Sequence, residues 1–311
     1  MSQQCILVTG AAGGTQGKTG RRVAELLLRR GCPVRAFVRR QDERSESLKR
    51  LGAEVFVGDL LDFQSVRNAS AGVSAVYFAY PVQAGLLEAA ANMAVAARDA
   101  GVARLVNLMM LSSSADAPTP RMRQNYCCEQ IMEWAGIGAV HLRAALFYEN
   151  LYALVGATVA QAAVVRLPWG DDTTTVPLVS AEDVARVAAG LLLEPELQPG
   201  SSYRMVGAAP TLREVIATFS RVLAKDIRYE NLSDEEWRQV ALDNGANNHA
   251  VEHLSQLWRF LRMNPGAASG GRFRISANTF KLFGSAEPLT LEEFLTQRRA
   301  NVDTTVSEIP A

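Results

Sequence analysis

The feature that most constrains the fold is the alternation of short apolar runs with amphipathic stretches in the first half of the chain. The apolar runs have the length of strands, and the stretches between them have helical periodicity. Six strands are predicted: CILVT (5–9), PVRAFVR (33–39), EVFVG (54–58), SAVYFAY (74–80), RLVNLMML (104–111) and AVHLR (139–143). Repeated strand–helix units form a parallel sheet covered by helices on both faces. The sequence therefore predicts an α/β fold with a Rossmann-type, doubly wound parallel sheet.

The second half of the chain is less regular and predicts a smaller, mostly helical lobe. SYRMVG (202–207) is a seventh predicted strand, and several later helix starts carry residue pairs spaced as capping boxes. These pairs are Thr211 with Glu214, Ser233 with Glu236, and Thr290 with Glu293. The predicted organisation is an NAD(P)-binding domain over 1–155, completed by about 176–206, a C-terminal substrate or lid lobe over 207–300, and a tail over 301–311. The lobe is expected at the carboxyl edge of the sheet, where ligands of such folds bind.

Composition excludes several classes of function. Lys and Arg number 32, as do Asp and Glu, so the net charge of zero gives no electrostatic attraction to nucleic acid or to an anionic membrane. No segment has the unbroken apolar length of a membrane span, and a strand at the start of the chain predicts no signal peptide. Four cysteines without a CxxC spacing predict a reduced, cytoplasmic protein. The expected partner is a small-molecule substrate, with a homodimer left open.

A glycine-rich stretch, GAAGGTQGKTG (10–20), follows the first predicted strand and opens the first helix. It matches a loose phosphate-loop pattern, in which Lys18 would reach terminal phosphates and Thr19 would hold magnesium. That interpretation needs Ala12 in place of the first glycine. It also needs an acid at the end of a neighbouring strand, and only Asp59 is available.

The same stretch also fits a dinucleotide turn, which needs a strand, glycines and a helix N-terminus facing a pyrophosphate. The second strand ends in Arg39 and Arg40, and an Arg at this position suits the 2′-phosphate of NADP. The glycine register stays open between Gly10–Gly13–Gly17 and Gly14–Gly17–Gly20, because the loop is about one helical turn too long. The predicted cofactor-binding residues are Gly10, Gly13, Gly14, Thr15, Gln16, Gly17, Lys18, Arg39, Arg40, Asp59, Leu60, Ala79, Tyr80 and Pro81.

No metal site is predicted. His249 and His253 are spaced i, i+4 in HAVEH, but this order lacks the glutamate position of the zinc-protease motif HExxH. The candidate cofactor is therefore NADP(H) alone.

Several segments together resemble the NmrA-like proteins of the atypical short-chain dehydrogenase/reductase superfamily. They are VTGAAG, KTGRRVAELLLRRGCPVRAFVR, GAEVFVGDL, VYFAYP and EQIMEWAGIGAVHLRAALFYENL. The segments YPVQAGLLEAAANMAVAARDAGV and EWAGIGAVHLR are most similar to a subgroup of flavin-independent NAD(P)H azoreductases, to which quinone reductases are related. The resemblance implies an NADPH-dependent, flavin-free reductase acting on an electrophilic aromatic acceptor. Some relatives are NADP-sensing regulators, which leaves a non-catalytic sensor as the alternative.

The chain departs from the superfamily pattern in two places. Family loops are usually four residues shorter than the one here. Short-chain dehydrogenases use a Tyr-x-x-x-Lys pair, whereas here Tyr126 is followed by Gln130. Quinone and azo acceptors are electrophilic enough to need little acid catalysis, so the missing lysine fits them better than alcohols. The candidate catalytic residues are Ser112, Tyr126 and Tyr80, and the candidate substrate pocket consists of Phe147, Tyr148, Asn150 and Trp169.

Overall fold

The computed structural model describes residues 5–14, 18–264 and 273–307. The strands, numbered along the chain, are β1 (Cys5–Val8), β2 (Val34–Val38), β3 (Glu54–Val57), β4 (Val73–Phe78), β5 (Arg104–Met110), β6 (Ala139–Ala144), β7 (Leu146–Phe147), β8 (Val164–Leu167), β9 (Leu178–Val179), β10 (Ser202–Met205) and β11 (Arg228–Asn231). The helices are α1 (Thr19–Arg29), α2 (Glu43–Arg50), α3 (Phe63–Ser70), α4 (Leu86–Asp99), α5 (Pro120–Trp134), α6 (Tyr148–Ala162), α7 (Ala181–Leu193), α8 (Leu212–Leu223), α9 (Asp234–Asp243), α10 (Asn248–Met263), α11 (Ala277–Gly284) and α12 (Leu291–Ser307).

The chain divides into two compact units. The first unit consists of Met1–Ala145, Ala181–Met205 and Ala277–Glu287. Its parallel sheet has the strand order β10-β6-β5-β4-β1-β2-β3, in which β1 pairs with β2 on one side and β4 on the other. This order confirms the predicted Rossmann-type doubly wound sheet.

The central strands of this sheet are buried on both faces, as a parallel sheet between two helix layers requires. Leu7 and Val8 in β1 and Val76, Tyr77 and Phe78 in β4 are completely inaccessible to solvent. Their continuous apolar sequence has no polar alternation, because neither face of the sheet meets water.

A late segment of the chain returns to the first unit. The predicted 207–300 lobe included this segment, but the structure places Ala277–Glu287 with the sheet. The physical reason is close packing of α11 against α7, where a Cβ on Gly190 would lie 2.0 Å from the carbonyl oxygen of Phe283. Arg186 in α7 adds a hydrogen bond to the carbonyl of Gly284 (2.9 Å). The first of the three segments of this unit ends at Ala145, before the predicted limit of 155.

The second unit consists of Leu146–Ser180, Val206–Ser276 and Pro288–Ala311. It contains the parallel pairs β7–β9 and β8–β11 and is otherwise helical. The two predicted capping boxes at the starts of α8 and α9 are both present. Thr290 and Glu293 also exchange both bonds expected of a box before α12.

Helix α12 continues to Ser307, so the predicted tail 301–311 begins inside a helix; residues 308–311 lie outside the described ranges. None of the helices in the described ranges is both long enough and apolar enough to cross a membrane.

Candidate dinucleotide site and catalytic helix

Four neighbouring strands bring the predicted cofactor residues to one edge of the sheet. Gly10 follows β1, Arg39 follows β2, Asp59 lies just beyond β3 and Ala79 follows β4. The strands are adjacent in the order β4-β1-β2-β3 and parallel, so their carboxyl ends lie side by side. Two of the predicted residues come into contact here, because Nη2 of Arg39 lies 3.6 Å from Oδ2 of Asp59. This edge is where ligands of doubly wound folds bind.

The turn after β1 depends on three glycines. Gly10 and Gly13 have φ values of +64° and +70°, in the left-handed region that glycine adopts without a steric penalty. The Gly13 N–H donates to the Gly10 carbonyl (3.0 Å), which closes the turn. Gly20, in the first turn of α1, lies so close to this turn that a Cβ would be 2.3 Å from the carbonyl oxygen of Thr9. A side chain at position 20 would therefore force α1 away from the sheet.

These backbone roles belong to Gly10 and Gly13 of the first predicted register and to Gly20 of the second. Gly17, which both registers share, lies outside the described residues, so the choice of register stays a prediction. A Cβ on Gly14 would meet no atom of the described residues within 4 Å. The predicted contacts of Thr15, Gln16 and Gly17 lie outside the described residues. Gly20 was absent from the predicted cofactor set, although the surplus of glycines in the loop was its signal.

The N-terminus of α1 can bind an anion. Its N-cap residue, Lys18, is exposed, has a left-handed backbone (φ +59°) and makes no side-chain capping bond. The first N–H groups of a helix have no intrahelical acceptor and carry the positive end of its dipole. A pyrophosphate is the expected ligand for such an end beneath a glycine turn.

The side chain of Thr19 argues against the triphosphate interpretation. Its Oγ1 accepts a hydrogen bond from the Tyr77 hydroxyl (2.9 Å), and the residue is only 5% exposed. Burial raises the pKa of Tyr77, so the phenol remains a hydrogen-bond donor. Because Thr19 is held inside the sheet–helix layer, it is not presented to a magnesium ion. The geometry favours the dinucleotide turn.

Thr9 connects the end of β1 to the end of the neighbouring strand β4. Its hydroxyl donates to the Ala79 carbonyl (3.1 Å) and accepts from the Ala79 N–H (2.8 Å). This pair of bonds fixes the end of β4 relative to the glycine turn after β1. Thr9 was not among the predicted site residues, because its only signal in the sequence is its position immediately before Gly10.

A basic depression of about 740 Å³ lies beside the glycine turn. Arg44 donates to the carbonyl of Gly13 (2.6 Å), and Arg21 donates to the carbonyl of Arg44 (2.6 Å). The hydrogen bonds of Arg44 to Asp42 hold the pKa of that carboxyl at about 2. Lys18 also lines the depression. Sequence reasoning missed Arg44, whose partner is distant along the chain.

The two predicted 2′-phosphate residues differ in direction. Arg39 and Arg40 are both largely exposed, with 74% and 79% of their side-chain surface accessible. Arg39 reaches towards Asp59 at the carboxyl edge of the sheet, whereas Nε of Arg40 lies 3.7 Å from Asp42 at the start of α2. Arg39 is therefore better placed at the predicted cofactor edge.

The segment after β4 is a structured loop. The Tyr80 hydroxyl donates to the carbonyl of Ala84 (2.8 Å) and accepts from the side-chain amide of Gln83 (3.3 Å). Arg121 at the start of α5 donates to the Pro81 carbonyl (2.8 Å). Because the Tyr80 hydroxyl is engaged within its own loop, its catalytic role stays a prediction.

Leu60, another predicted cofactor residue, lies at the far side of this edge. It packs partly buried against the sheet core, and its carbonyl accepts from the side chain of Asn92 in α4 (3.0 Å). Its backbone position is therefore fixed, and its contact with a nucleotide stays a prediction.

The candidate catalytic helix, α5, carries Tyr126 and Gln130 one turn apart. Tyr126 is half-buried, and its hydroxyl has no hydrogen-bond partner within the described ranges. Gln130 donates instead to Glu133 (3.4 Å). Ser112, half-buried just beyond β5, likewise has no hydrogen-bond partner among the described residues. Both hydroxyls are thus free to bind another molecule.

Arg143 is the cation that could replace the missing lysine, but it is paired with Glu129. Arg143 in β6 makes two hydrogen bonds to Glu129 of α5, at 2.9 and 2.5 Å, and Glu129 is 1% exposed. Burial raises the pKa of Glu129 and Arg143 counteracts part of this rise. The Glu129 hydrogen bond raises the pKa of Arg143, on which Tyr126 has a weaker electrostatic effect. Glu129 therefore balances most of the charge of Arg143, and the interaction of Arg143 with Tyr126 is the weaker one.

The candidate substrate residues all lie in the second unit. Tyr148 and Trp169 are completely buried in its core, where the Tyr148 ring lies 5.5 Å from that of Phe294. Phe147 and Asn150 are half-buried. The burial of the two large aromatic residues gives them a packing role, and the assignment of all four to a substrate pocket stays a prediction.

Sheet order and glycine turn define a Rossmann-type protein of the dinucleotide-binding class. The model of the NmrA-like family matches residues 2–295. The chain belongs to the NmrA-like family, which confirms the predicted relationship.

Two curated relatives that match most of the chain are named as reductases. A (4-alkanoyl-5-oxo-2,5-dihydrofuran-3-yl)methyl phosphate reductase of Streptomyces griseus is 34% identical over 76% of this chain and 80% of its own length. An NAD(P)H azoreductase of Xenophilus azovorans is 25% identical over 81% of this chain and 86% of its own length. These relatives agree with the predicted class of NAD(P)H-dependent oxidoreductases.

A solved structure supports the fold. The NADPH complex of an NADPH-dependent quinone oxidoreductase from Escherichia coli superposes with a TM-score of 0.78 at 23% identity, covering 94% of this chain and 99% of that one. At this identity the likeness concerns the fold.

Proposed function

We propose that the protein is a flavin-free, NADPH-dependent reductase that passes hydride to a conjugated electrophilic acceptor such as a quinone or an azo compound. The observation that carries the proposal is the glycine turn of Gly10, Gly13 and Gly20 beneath the uncapped N-terminus of α1, with Arg39 at the same sheet edge. NADPH, when bound, supplies the hydride.

The residues of the first unit fit a dinucleotide. Gly20 allows the close approach of α1, so the helix N–H groups can hold the pyrophosphate. Arg39 is the proposed contact for the 2′-phosphate, and Asp59 and Leu60 are proposed beside the adenine. Ala79, Tyr80 and Pro81 are proposed at the ribose and nicotinamide.

The acceptor class follows from the catalytic helix. Without a lysine at position 130, and with Arg143 neutralised by Glu129, no free cation activates Tyr126 within the described ranges. Acceptors that need strong acid catalysis are therefore disfavoured, whereas quinones, azo compounds and polarised unsaturated lactones accept hydride without it. Ser112 and Tyr126 are proposed as hydrogen-bond donors to the bound acceptor.

The test is NADPH oxidation by the purified protein with a quinone, an azo dye and an unsaturated lactone, with and without added flavin. We expect turnover that added flavin does not increase. Arg39→Asp should lower the NADPH/NADH ratio of kcat/KM by about tenfold or more, because a carboxylate repels the 2′-phosphate. The matched control is Arg40→Asp, which should change the ratio much less. An unchanged ratio in Arg39→Asp would remove the cofactor assignment.

A second candidate function is a non-catalytic NADP(H) sensor. The specific observation in its favour is Gln130, which leaves Tyr126 without its activating cation. A sensor would bind NADP(H) tightly and change its protease sensitivity on binding. It would oxidise NADPH no faster with the acceptors than without them.

A further inference from the structure

Arg121 lies in an electrostatically unfavourable place. It is the second residue of α5, near the positive end of the helix dipole, and is only 3% exposed. No carboxylate within the described ranges forms an ion pair with it, and burial lowers its pKa to about 10. A buried cation without an acid partner costs free energy, so another interaction must offset it.

That interaction is with the loop after β4. Arg121 donates to the carbonyls of Gln83 (2.9 Å) and Pro81 (2.8 Å) and, more weakly, of Tyr80 (3.4 Å). Its guanidinium also lies 5.9 Å from the centroid of the Tyr80 ring, over its face. A planar guanidinium can bind several carbonyls at once because its five N–H donors point outward in a fixed fork.

We propose that Arg121 is a positioning residue that holds the Tyr80–Gln83 segment in the conformation that receives the nicotinamide half of the cofactor. The inference rests on the proposed function, since it takes this loop as part of the cofactor site. Tyr80 and Pro81 are bound through their carbonyls, and Thr9 fixes the adjoining Ala79 from the other side. The loop is thus held at both ends, by the short side chain of Thr9 at one end and by the long side chain of Arg121 at the other.

The test separates the two halves of the cofactor. Calorimetry measures binding of NADPH and of 2′-phospho-ADP, which lacks the nicotinamide and the ribose attached to it, to the wild type, Arg121→Met and Arg121→Lys. In Arg121→Met we expect NADPH to bind about tenfold more weakly, and the fragment to bind within about twofold of the wild type. Arg121→Lys, which keeps a buried cation but not the planar fork, should lie between the two.

Arg123→Met is the matched control, because Arg123 is an exposed arginine of the same helix that donates to one carbonyl, that of Ala117 (2.7 Å). It should bind both compounds like the wild type. Equal weakening of NADPH and the fragment in both Arg121 variants would indicate a general structural role and overturn the inference, as would no weakening of either. If the wild type binds neither compound, the proposed function itself fails.

Discussion

The glycine turn after β1 and the region of α5 around Tyr126 differ in what determines their geometry. At the turn, the backbones of Gly10, Gly13 and Gly20 determine the geometry. A side chain at position 10 or 13 would be strained by the positive φ, and one at position 20 would clash with backbone atoms. On α5, Tyr126 has a free hydroxyl, while Arg143 is paired with Glu129. The proposed cofactor site is thus determined by backbone contacts, whereas the proposed catalytic residue Tyr126 has no lysine one turn along α5. A protein built in this way should bind its nucleotide firmly and reduce only acceptors that need little help.

The largest expected effect is that of Gly20→Ala. Its Cβ would lie 2.3 Å from the Thr9 carbonyl oxygen, and neither backbone can move without shifting α1 or β1. We expect a loss of about 1–3 kcal/mol in the free energy of unfolding, the usual cost of overpacking, and NADPH binding weakened by more than tenfold. Thermal unfolding and calorimetry measure the two effects.

The control for this substitution is Gly14→Ala, whose Cβ would lie more than 4 Å from every atom in the described part of the chain. It should unfold and bind NADPH as the wild type does. Equal behaviour of the two alanine variants would show that the close approach of α1 has no part in binding.

The second effect concerns the buried side of α5, where His141 lies 3.1 Å from Glu133 and 3.2 Å from the amide of Asn107. Burial, and secondarily Arg143, lower its pKa to about 4. The unfolded chain binds a proton on His141 at higher pH than the folded protein does. The contribution of neutral His141 to the free energy of unfolding is therefore full above about pH 6.5 and declines towards pH 4. The expected loss from this group between pH 7 and pH 5 is about 2 kcal/mol.

Urea unfolding at pH 7 and pH 5 measures this loss. His141→Gln removes the titrating group, so the change in the free energy of unfolding between the two pH values should be smaller than in the wild type. The same change in both proteins would mean that His141 is not held neutral by the fold.

The smallest expected effect is that of Gln130→Lys on the choice of acceptor. Gln130→Lys restores the spacing of the Tyr-x-x-x-Lys pair on α5. We expect kcat/KM for a ketone, relative to a quinone, to rise by about tenfold, which is less than the roughly 100-fold or more that a well-positioned acid–base group contributes. Gln130→Met, which removes the amide without adding a charge, should leave the ratio unchanged. A ratio that stays constant in both variants would show that the missing cation does not set the acceptor class.

Much of the first unit could be predicted from the sequence because its signals are local. Apolar runs predicted β1 to β6 closely. In the second unit, the pairs Thr211–Glu214 and Ser233–Glu236 marked true helix starts for the same reason. The return of α11 to the sheet could not be predicted, since it depends on the approach of Phe283 to Gly190 far along the chain.

The candidate site divides in the same way. Arg39 and Asp59 were found from their positions at strand ends, and the structure brings them into contact. Arg44 and Arg121 were not predicted, because each binds backbone carbonyls at least thirty residues away. Every residue has a backbone carbonyl, so such a partner cannot be recognised from the sequence. Gly20 was visible as a glycine, but its role depends on the distance between α1 and the turn.

The most direct test of the account is calorimetric binding of NADPH, NADH and Mg-ATP to the wild-type protein. The account predicts that NADPH binds most tightly, because the turn receives a pyrophosphate and Arg39 favours a 2′-phosphate. Preferential binding of Mg-ATP, or no binding of either dinucleotide, would contradict it.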